Sequence, residues 1–477
     1  MRTSWFLLCT LCLCLLCFEP LRSQDLLAQT ASKKEIAGTW QGALNVGVPL
    51  RLVVTLVKGA DGTLTGTLIS VDQGNAKIPL DTVAFNSGTL HFSIKSLTAE
   101  YEGKMSEDGQ SIAGTFTQAG RGLPLTFKHD ETVPTVNRPQ NPQKPYPYTE
   151  IEVGYENSVQ NVHLAGTLTV PAGKGPFPGV VLITGSGQQD RDESLMGHKP
   201  FLVLADYLTR HGIAVLRVDD RGAGRSTGNF ALSTTADFAT DVQASVAYLK
   251  SRKEIDPAQV GLIGHSEGGV IAPMVASQSK PKEIAFIVLM AGTGVNGAEI
   301  LKAQSALIAR AMGAPEESIK ASGDLNAKIY AIVKAEPDNA KAEQKIVALL
   351  KAELPEAARQ SLGNPDTMAK SVCNPWMRYF LTYDPAPALR KTTCPVLAIN
   401  GSKDLQVPPA QNLPAISAAL KAGGNQDFTV QELPGLNHLF QTCKTGAPSE
   451  YSQIEETIAP LALETMTAWI QKHTKKP

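Results

Sequence analysis

The feature that most constrains the fold is an alternation, over residues 150–477, of short apolar runs with amphipathic stretches of helical period. The apolar runs lack the in-and-out pattern of half-exposed strands, which is typical of strands buried on both faces of a parallel sheet. Strands and helices in alternation predict a mostly parallel sheet with helices on both faces. The runs are PGVVLITG (178–185), GIAVLRVDD (212–220), QVGLIGH (259–265), AFIVLMAG (285–292), PVLAING (395–401) and FTVQELPG (428–435).

Two other patterns flank or interrupt this alternation. YTEIEVGYEN and NVHLAGTLTVP, just before the first run, predict an antiparallel edge pair that leads into the sheet. Residues 295–390 are rich in Ala, Lys and Glu with helical period and contain no strand-like run. We interpret them as a helical cap over the carboxyl edge of the sheet, the alternative being a solvated excursion without contact to any site.

The N-terminal part has a different period. Residues 34–129 show short alternating runs separated by Gly-rich turns, which predict a small all-β domain of six to eight strands, a sandwich or barrel. It is interpreted as a binding module or as a structural appendage. Residues 130–149 carry five prolines and few apolar side chains, and predict a semi-extended linker.

The first residues predict a secretory signal peptide over residues 1–23. Arg2 precedes an apolar run from Trp5 to Phe18, with cleavage expected near Ser23. Fourteen apolar residues are short for a bilayer span, so cleavage is favoured over a membrane anchor. A lipid-modified Cys17 is a further alternative, although Leu16 precedes it rather than a small residue. We therefore expect an extracytoplasmic protein, periplasmic or secreted, with no stable membrane span after cleavage.

Charge and cysteine content argue against several classes of protein. The chain has 44 basic and 45 acidic residues, a net charge of -1, and shows no basic face for nucleic acid. Four of its seven cysteines lie in the leader, and the other three are spaced too widely for a disulfide framework or a zinc site. We expect no metal and no cofactor, while one disulfide and the oligomeric state stay open. The three cysteines are Cys373, Cys394 and Cys443.

The stretch GLIGHSEGG (261–269) is the first candidate for chemistry. It follows a strand-like run and precedes GGVIAPMVASQS, a predicted helix, so Ser266 would lie on a sharp strand-to-helix turn. Such a turn lifts the serine hydroxyl out of the sheet and needs glycines where a Cβ would clash. Ser266 is the predicted nucleophile, whereas His265 and Glu267 are interpreted as packing and turn residues.

A serine hydroxyl needs a base and a carboxylate that orients the base. Asp404, in GSKD, follows one predicted strand, and His438 follows the next. The carboxyl ends of parallel strands converge on one crevice, so the order Ser266, Asp404, His438 predicts a catalytic triad.

The oxyanion hole needs backbone N–H donors. One is predicted at Glu267, and a second at Ser186 or Gly187, in the loop after PGVVLI. The charged run that follows, Gln189 to Glu193, is interpreted as a surface ion cluster that fixes this loop. The Gly-rich segment 222–228 approaches a dinucleotide-binding motif but has one residue too many, and no acidic residue ends a following strand.

With these motifs in order, residues 150–475 resemble the α/β-hydrolase superfamily. GSGQQDRDE (185–193) is similar to the D-type, EstD-like bacterial carboxylesterases, which are related to the serine aminopeptidase group. The resemblance implies that Ser266, Asp404 and His438 form the triad and that residues 220–226 are a structural loop. Thr184-Gly185 departs from the His-Gly of many relatives. The first domain also looks like the leader domain of exported bacterial members.

These observations predict an exported serine hydrolase that cleaves small carboxylic esters, of short to medium acyl length, through an acyl-enzyme. An aminopeptidase or amidase on the same triad is the alternative, and it needs an acid such as Glu267, Glu299 or Asp324 to hold the substrate amine. A binding protein with a vestigial hydrolase fold is a third hypothesis, which the intact triad order disfavours.

Overall fold

The computed structural model describes residues 35–45, 49–73, 76–118, 120–130, 137–356, 359 and 364–474. The predicted signal peptide and its four cysteines lie outside these residues. Within the described ranges, no helix is long and apolar enough to cross a membrane.

The N-terminal domain is a curled antiparallel sheet of nine strands, in the order β4-β3-β2-β1-β9-β8-β7-β6-β5. Side chains alternate between the interior and solvent, as in β7, where every second residue is buried. The strands are β1 (Gly38–Asn45), β2 (Pro49–Lys58), β3 (Leu64–Ser70), β4 (Ala76–Pro79), β5 (Thr82–Asn86), β6 (Thr89–Ile94), β7 (Ala99–Met105), β8 (Ser111–Gln118) and β9 (Arg121–His129).

This sheet closes on itself because β4 and β5 are nearly one strand. The Leu80 N–H donates to the Gly66 carbonyl on β3, and the next N–H, of Asp81, donates to the Ser93 carbonyl on β6. The two outermost strands of the sheet are thereby joined, which gives a barrel. Large side chains fill its interior, including Trp40, Phe92, Tyr101 and Phe127. The sequence predicted six to eight strands, and the ninth arises where residues 76–86 change partners.

The proline-rich segment after the barrel is packed on the second domain. The Arg138 guanidinium donates to the carbonyls of Met196, Ser452 and Ile454. The Gln140 amide donates to the Ile458 carbonyl and accepts from the Ile458 N–H. The segment has little regular structure, as predicted for a linker, but its described part from residue 137 is fixed by buried contacts.

The second domain is built on an eight-stranded sheet in the order β10-β11-β13-β12-β14-β15-β16-β17. Strands from β13 to β17 are parallel, while β10 and β11 form the predicted antiparallel edge. The strands are β10 (Thr149–Asn157), β11 (Val162–Val170), β12 (Phe177–Ile183), β13 (Ala214–Val218), β14 (Ile255–His265), β15 (Ile287–Met290), β16 (Val396–Gly401) and β17 (Phe428–Leu433).

Helices cover both faces of this sheet. The helices α1 (Pro200–Arg210) and α11 (Pro460–His473) pack on one face. The opposite face is covered by α2 (Thr235–Lys250), α3 (Gly268–Gln278), α9 (Ala386–Lys391) and α10 (Pro409–Ala422). The predicted fold class, an α/β-hydrolase sheet preceded by an all-β domain, is therefore confirmed.

Between β15 and β16 the chain forms a helical layer with its own apolar core. This layer falls in the segment that the sequence assigned to a cap. Its helices are α4 (Gly297–Ala311), α5 (Glu316–Ala335), α6 (Asn339–Glu353), α7 (Pro365–Val372) and α8 (Pro375–Thr382).

Candidate active site

Ser266 lies on the turn that joins β14 to α3. Its φ of 53° is in the left-handed region, which is strained for a residue with a side chain. The Ser266 N–H donates to the Met290 carbonyl of β15 at 2.8 Å, which fixes the turn. Ser266 is half-buried, whereas its neighbours His265 and Glu267 are buried. The strained turn therefore presents one hydroxyl from an otherwise closed surface.

Two glycines make this turn feasible. A Cβ on Gly264 would lie 2.0 Å from the Gly268 carbonyl oxygen, and one on Gly268 would lie 2.2 Å from the Ile183 carbonyl oxygen. Both distances are well inside van der Waals contact, and in each case the obstacle is backbone. The glycines of GLIGHSEGG are therefore needed for helix α3 to start directly against β12.

Asp404 and His438 meet in the loops after β16 and β17. His438 Nδ1 is 2.8 Å from Asp404 Oδ2, and both side chains are buried. Asp404 Oδ1 accepts the N–H groups of Gln406 and Val407, which orients the carboxylate. An ionised carboxylate only accepts hydrogen bonds, so Nδ1 carries the proton and Nε2 of the neutral ring is left as an acceptor.

His438 is next to the Ser266 turn. The ring of His265, the residue before Ser266, is centred 4.9 Å from the His438 ring. Its Nε2 is 3.1 Å from the His438 carbonyl oxygen. The structure thus brings Ser266, Asp404 and His438 to one edge of the sheet.

The loop after β12 covers the serine. A Cβ on Gly185 would lie 3.3 Å from Ser266 Cβ, so the loop backbone passes directly beside the turn. The Gly185 N–H donates to Glu193 Oε1, which leaves Ser186 and Gly187 as the candidate donors of this loop. Glu267 is at the amino end of α3, where backbone N–H groups have no partner within the helix. Glu267 therefore follows Ser266 at the start of α3, and Ser186 and Gly187 follow Gly185, the residue whose backbone passes beside the turn.

The charged run from Gln189 to Glu193 is not the surface ion cluster that the sequence predicted. Asp192 forms an ion pair with the buried Arg217, and Arg191 forms one with Asp219. Glu193 is only 5 % exposed and bonds to His265 Nδ1 at 2.9 Å. The run does fix the loop, but from inside the protein, because its charges find partners on other strands.

Glu267 also carries a side-chain contact that the sequence did not reveal. Its Oε1 accepts from Thr235 Oγ1 at 2.6 Å and from Trp376 Nε1 of α8 at 2.8 Å. Burial raises the pKa of this carboxyl, and the two hydrogen bonds oppose the rise. The residue after the serine therefore ties the helical layer to the turn.

The loop of residues 220–228 is held by internal contacts. The Gly222 N–H donates to the Thr227 carbonyl, and Ser226 Oγ donates to the Asp219 carbonyl. Asp220 accepts from Thr184 Oγ1 at 2.7 Å, and burial raises its pKa well above the usual range. Thr184, where many relatives have histidine, thus links this loop to the loop that precedes Ser186.

Two cavities adjoin Glu267. The first lies below the Gly185 loop and is lined partly by Asp220, Phe230 and Phe238. The second lies between the turn and the helical layer, beside Val295, Phe380 and Tyr383. Apolar and aromatic walls with a few polar groups are typical of pockets for small molecules.

Among the described residues, no three His, Cys, Asp or Glu side chains are grouped so as to hold a metal ion. Cys373, Cys394 and Cys443 are free thiols.

A mostly parallel sheet with a serine on a strained strand-to-helix turn, and an aspartate-histidine pair after two later strands, defines the α/β-hydrolase class. The chain belongs to the serine aminopeptidase S33 family. Residues 199–442, slightly more than half of the chain, match the model of the family described as "Serine aminopeptidase, S33". The matched range contains Ser266, Asp404 and His438 but begins after Gly187.

Individual proteins resemble the chain over a shorter stretch or at low sequence identity. The chain is 34% identical over 140 residues to esterase EstD of Thermotoga maritima, a match that covers 29% of this chain and 34% of the esterase. The match thus spans about a third of that relative. The Pyrococcus furiosus esterase PF2001 is 17% identical, with coverages of 72% and 98% and a TM-score of 0.41. Est1E from Butyrivibrio proteoclasticus, solved with ferulic acid, is 17% identical, with coverages of 67% and 96% and a TM-score of 0.38.

The close approach at Gly268 predicts a large effect of a single methyl group. We expect Gly268→Ala to lower the free energy of unfolding by about 1–3 kcal/mol or more, because the neighbouring backbone must move. Gly323→Ala is the matched control, since Gly323 is inside α5 with open space around its Cβ position. That change should stabilise by about 0.5–1 kcal/mol. Denaturant unfolding of both variants measures the difference, and equal midpoints would contradict this account of the turn.

Proposed function

We propose that the chain is a serine hydrolase that cleaves small carboxylic esters through an acyl-enzyme on Ser266. The observation that carries the proposal is the buried Asp404–His438 hydrogen bond beside a serine held at positive φ. Strain of this kind is kept where function requires it. The partial match to esterase EstD supports the choice of an ester as substrate.

In the proposed mechanism, His438 Nε2 takes the proton of Ser266 as Oγ attacks the acyl carbonyl carbon. Asp404 keeps Nδ1 protonated and stabilises the imidazolium that forms. The N–H of Glu267, with that of Ser186 or Gly187, stabilises the tetrahedral oxyanion. The alcohol leaves with the proton from His438, and water, activated by the same histidine, releases the acid.

The lining of the second cavity supports an acyl group as part of the substrate, and we propose short to medium acyl chains. Its walls include Val270, Val295, Phe380 and Tyr383, and it lies under the helical layer next to the turn. Apolar and aromatic walls of this kind suit an acyl group, and Glu267, the residue after Ser266, is part of the lining.

Replacing the nucleophile tests the proposal. We expect Ser266→Ala to lower kcat for a short-chain nitrophenyl ester by roughly 10⁴- to 10⁶-fold, because the nucleophile and base act as one unit. Covalent labelling by a fluorophosphonate should also be lost. Ser251→Ala, at an exposed serine after α2, should change neither readout. Retained turnover or labelling in Ser266→Ala would rule out the assignment.

The second candidate function is aminopeptidase or amidase activity on the same residues. It is favoured by the buried Glu267 carboxyl, which lines both cavities and lies beside Ser266. Glu299 and Asp324, the other predicted amine-binding acids, are exposed, and Asp324 is paired with Lys320. Of the three acids, Glu267 is the one that lines a cavity beside Ser266, which supports its proposed role as the amine-binding group.

The two candidates predict different substrate preferences. An esterase should turn over nitrophenyl esters with a kcat/KM at least about 100-fold above that for aminoacyl naphthylamides of matched acyl size. An aminopeptidase should require the free amine and lose its activity when the amine is acylated. Both substrate series on one purified sample decide the question, and a preference for unblocked naphthylamides would overturn the esterase proposal.

We also propose that the protein is exported, on the pattern of Arg2 followed by the apolar run to Phe18. N-terminal sequencing of the protein from its native cells should then find a start near residue 24. A cytoplasmic protein that retains Met1 would contradict export.

A further inference from the structure

A second carboxylate-histidine pair lies beside the first and has no role in the proposed mechanism. Glu193 Oε1 is 2.9 Å from His265 Nδ1, and both residues are almost fully buried, at 5 % and 6 % exposed. The same oxygen accepts the Gly185 N–H at 2.8 Å. One carboxylate oxygen therefore holds both the loop over Ser266 and the residue before Ser266.

The second nitrogen of the His265 ring contacts the loop that carries His438. His265 Nε2 is 3.1 Å from the His438 carbonyl oxygen. A carboxylate and a carbonyl both accept hydrogen bonds, so the two ring nitrogens are best satisfied when both carry protons. Burial lowers the pKa of His265, but the charge and hydrogen bond of Glu193, the hydrogen bond with the His438 backbone and the charge of Asp404 together raise it overall. The buried ring is thus suited to act as an imidazolium that bridges two acceptors.

These contacts join three separate segments of the chain. Gly185 follows β12, His265 ends β14, and His438 follows β17. In the sheet, β12 and β14 are neighbours, but β17 is three strands away from β14. Glu193 itself has a φ of 52°, a strained conformation kept where surrounding contacts fix it.

We propose that Glu193 and His265 are positioning residues that hold the Gly185–Gly187 loop and the His438 backbone in register around Ser266. This inference rests on the proposed function. The pair touches neither the predicted reacting atoms nor a substrate. It sets where the loop N–H groups lie relative to the oxyanion, and a misplacement of about 1 Å at such a site can cost 100-fold in rate.

A shift of the loop or of the His438 backbone relative to Ser266 should lower kcat and leave KM nearly unchanged. The loop donors stabilise the oxyanion of the transition state more than the neutral carbonyl of the bound ester. An interaction made mainly in the transition state affects kcat and kcat/KM equally. A purely structural role would instead lower the folded fraction and leave kcat per active site intact.

The experiment compares Glu193→Gln with Glu193→Asp, and normalises kcat to sites counted by exhaustive fluorophosphonate titration. Gln keeps an acceptor oxygen at the same distance from the backbone, so we expect kcat within about fivefold of wild type. Asp keeps the charge but withdraws the oxygen by one methylene, so we expect a 10- to 100-fold loss of kcat at nearly constant KM.

The chain offers a matched control in the exposed pair of Glu156 and His163. Their Oε1 and Nδ1 atoms are 2.6 Å apart, and the side chains are 62% and 43% exposed. Glu156→Asp and Glu156→Gln should leave kcat and KM unchanged. His265→Gln adds a second test, because its combination with Glu193→Asp should lower kcat no further than the worse single change if the pair acts as one unit.

Wild-type kcat in Glu193→Asp, or a loss in Glu193→Gln as large as that in Glu193→Asp, would overturn the positioning role. If Glu193→Asp does not fold, His265→Gln becomes the test of the positioning role. Unchanged kcat per titrated site in His265→Gln would overturn that role. Ser266→Ala, measured in parallel, distinguishes a failure of the proposed function from a failure of this inference. Residual turnover there refutes the proposed function, whereas an inactive Ser266→Ala with a fully active Glu193→Asp refutes only this inference.

Discussion

The site depends on how closely the turn after β14 packs against the strands on either side of it. The carbonyl of Ile183 in β12 leaves no room for a side chain at residue 268, and Gly292, after β15, leaves none at residue 269. Helix α3 can therefore begin only where glycines allow it, and Ser266, which lies between Gly264 and Gly268, has a positive φ. A serine fixed in this way loses little conformational freedom on reaction, and its neighbours on β12 and β15 are fixed with it.

Several features of the site follow from local rules and were predictable from the sequence. Ser266, Asp404 and His438 each lie in a turn or loop that follows a strand of the parallel sheet, and the ends of parallel strands share one edge. The fold class follows from the apolar runs of these strands. The burial of Glu193 was not predictable, because DRDE has the composition of a solvated loop. Asp192 and Glu193 find partners in Arg217 and His265, which come from distant parts of the chain, and Lys199 adds a second partner for Asp192. The ninth strand of the barrel was also not predictable, because residues 76–86 form β4, which pairs with β3, and then β5, which pairs with β6.

Glu267 connects the rigid turn to the helical layer that bounds the second cavity. Trp376 of α8 donates to its carboxyl and stacks on Phe380, which lines that cavity. Glu267, whose backbone N–H is a proposed oxyanion donor, is thus also hydrogen-bonded to the helix that forms a wall of this cavity. We therefore expect substitutions in α8 to affect the turn through the hydrogen bond between Trp376 and Glu267. Substitutions on the exposed outer face of α5 should not affect it.

The packing of Arg138 gives the two domains an unexpected boundary. Three carbonyls that accept from its guanidinium belong to segments around residues 196 and 452–454, and Gln140 adds residues 457 and 458. The first strand of the second domain, β10, begins at Thr149, but contacts with this domain begin eleven residues earlier, at Arg138. We therefore expect a cut between the barrel and the second domain to preserve the contacts of the second domain only if it falls upstream of Arg138. The folded unit around the second sheet thus includes the proline-rich segment from Arg138 onward.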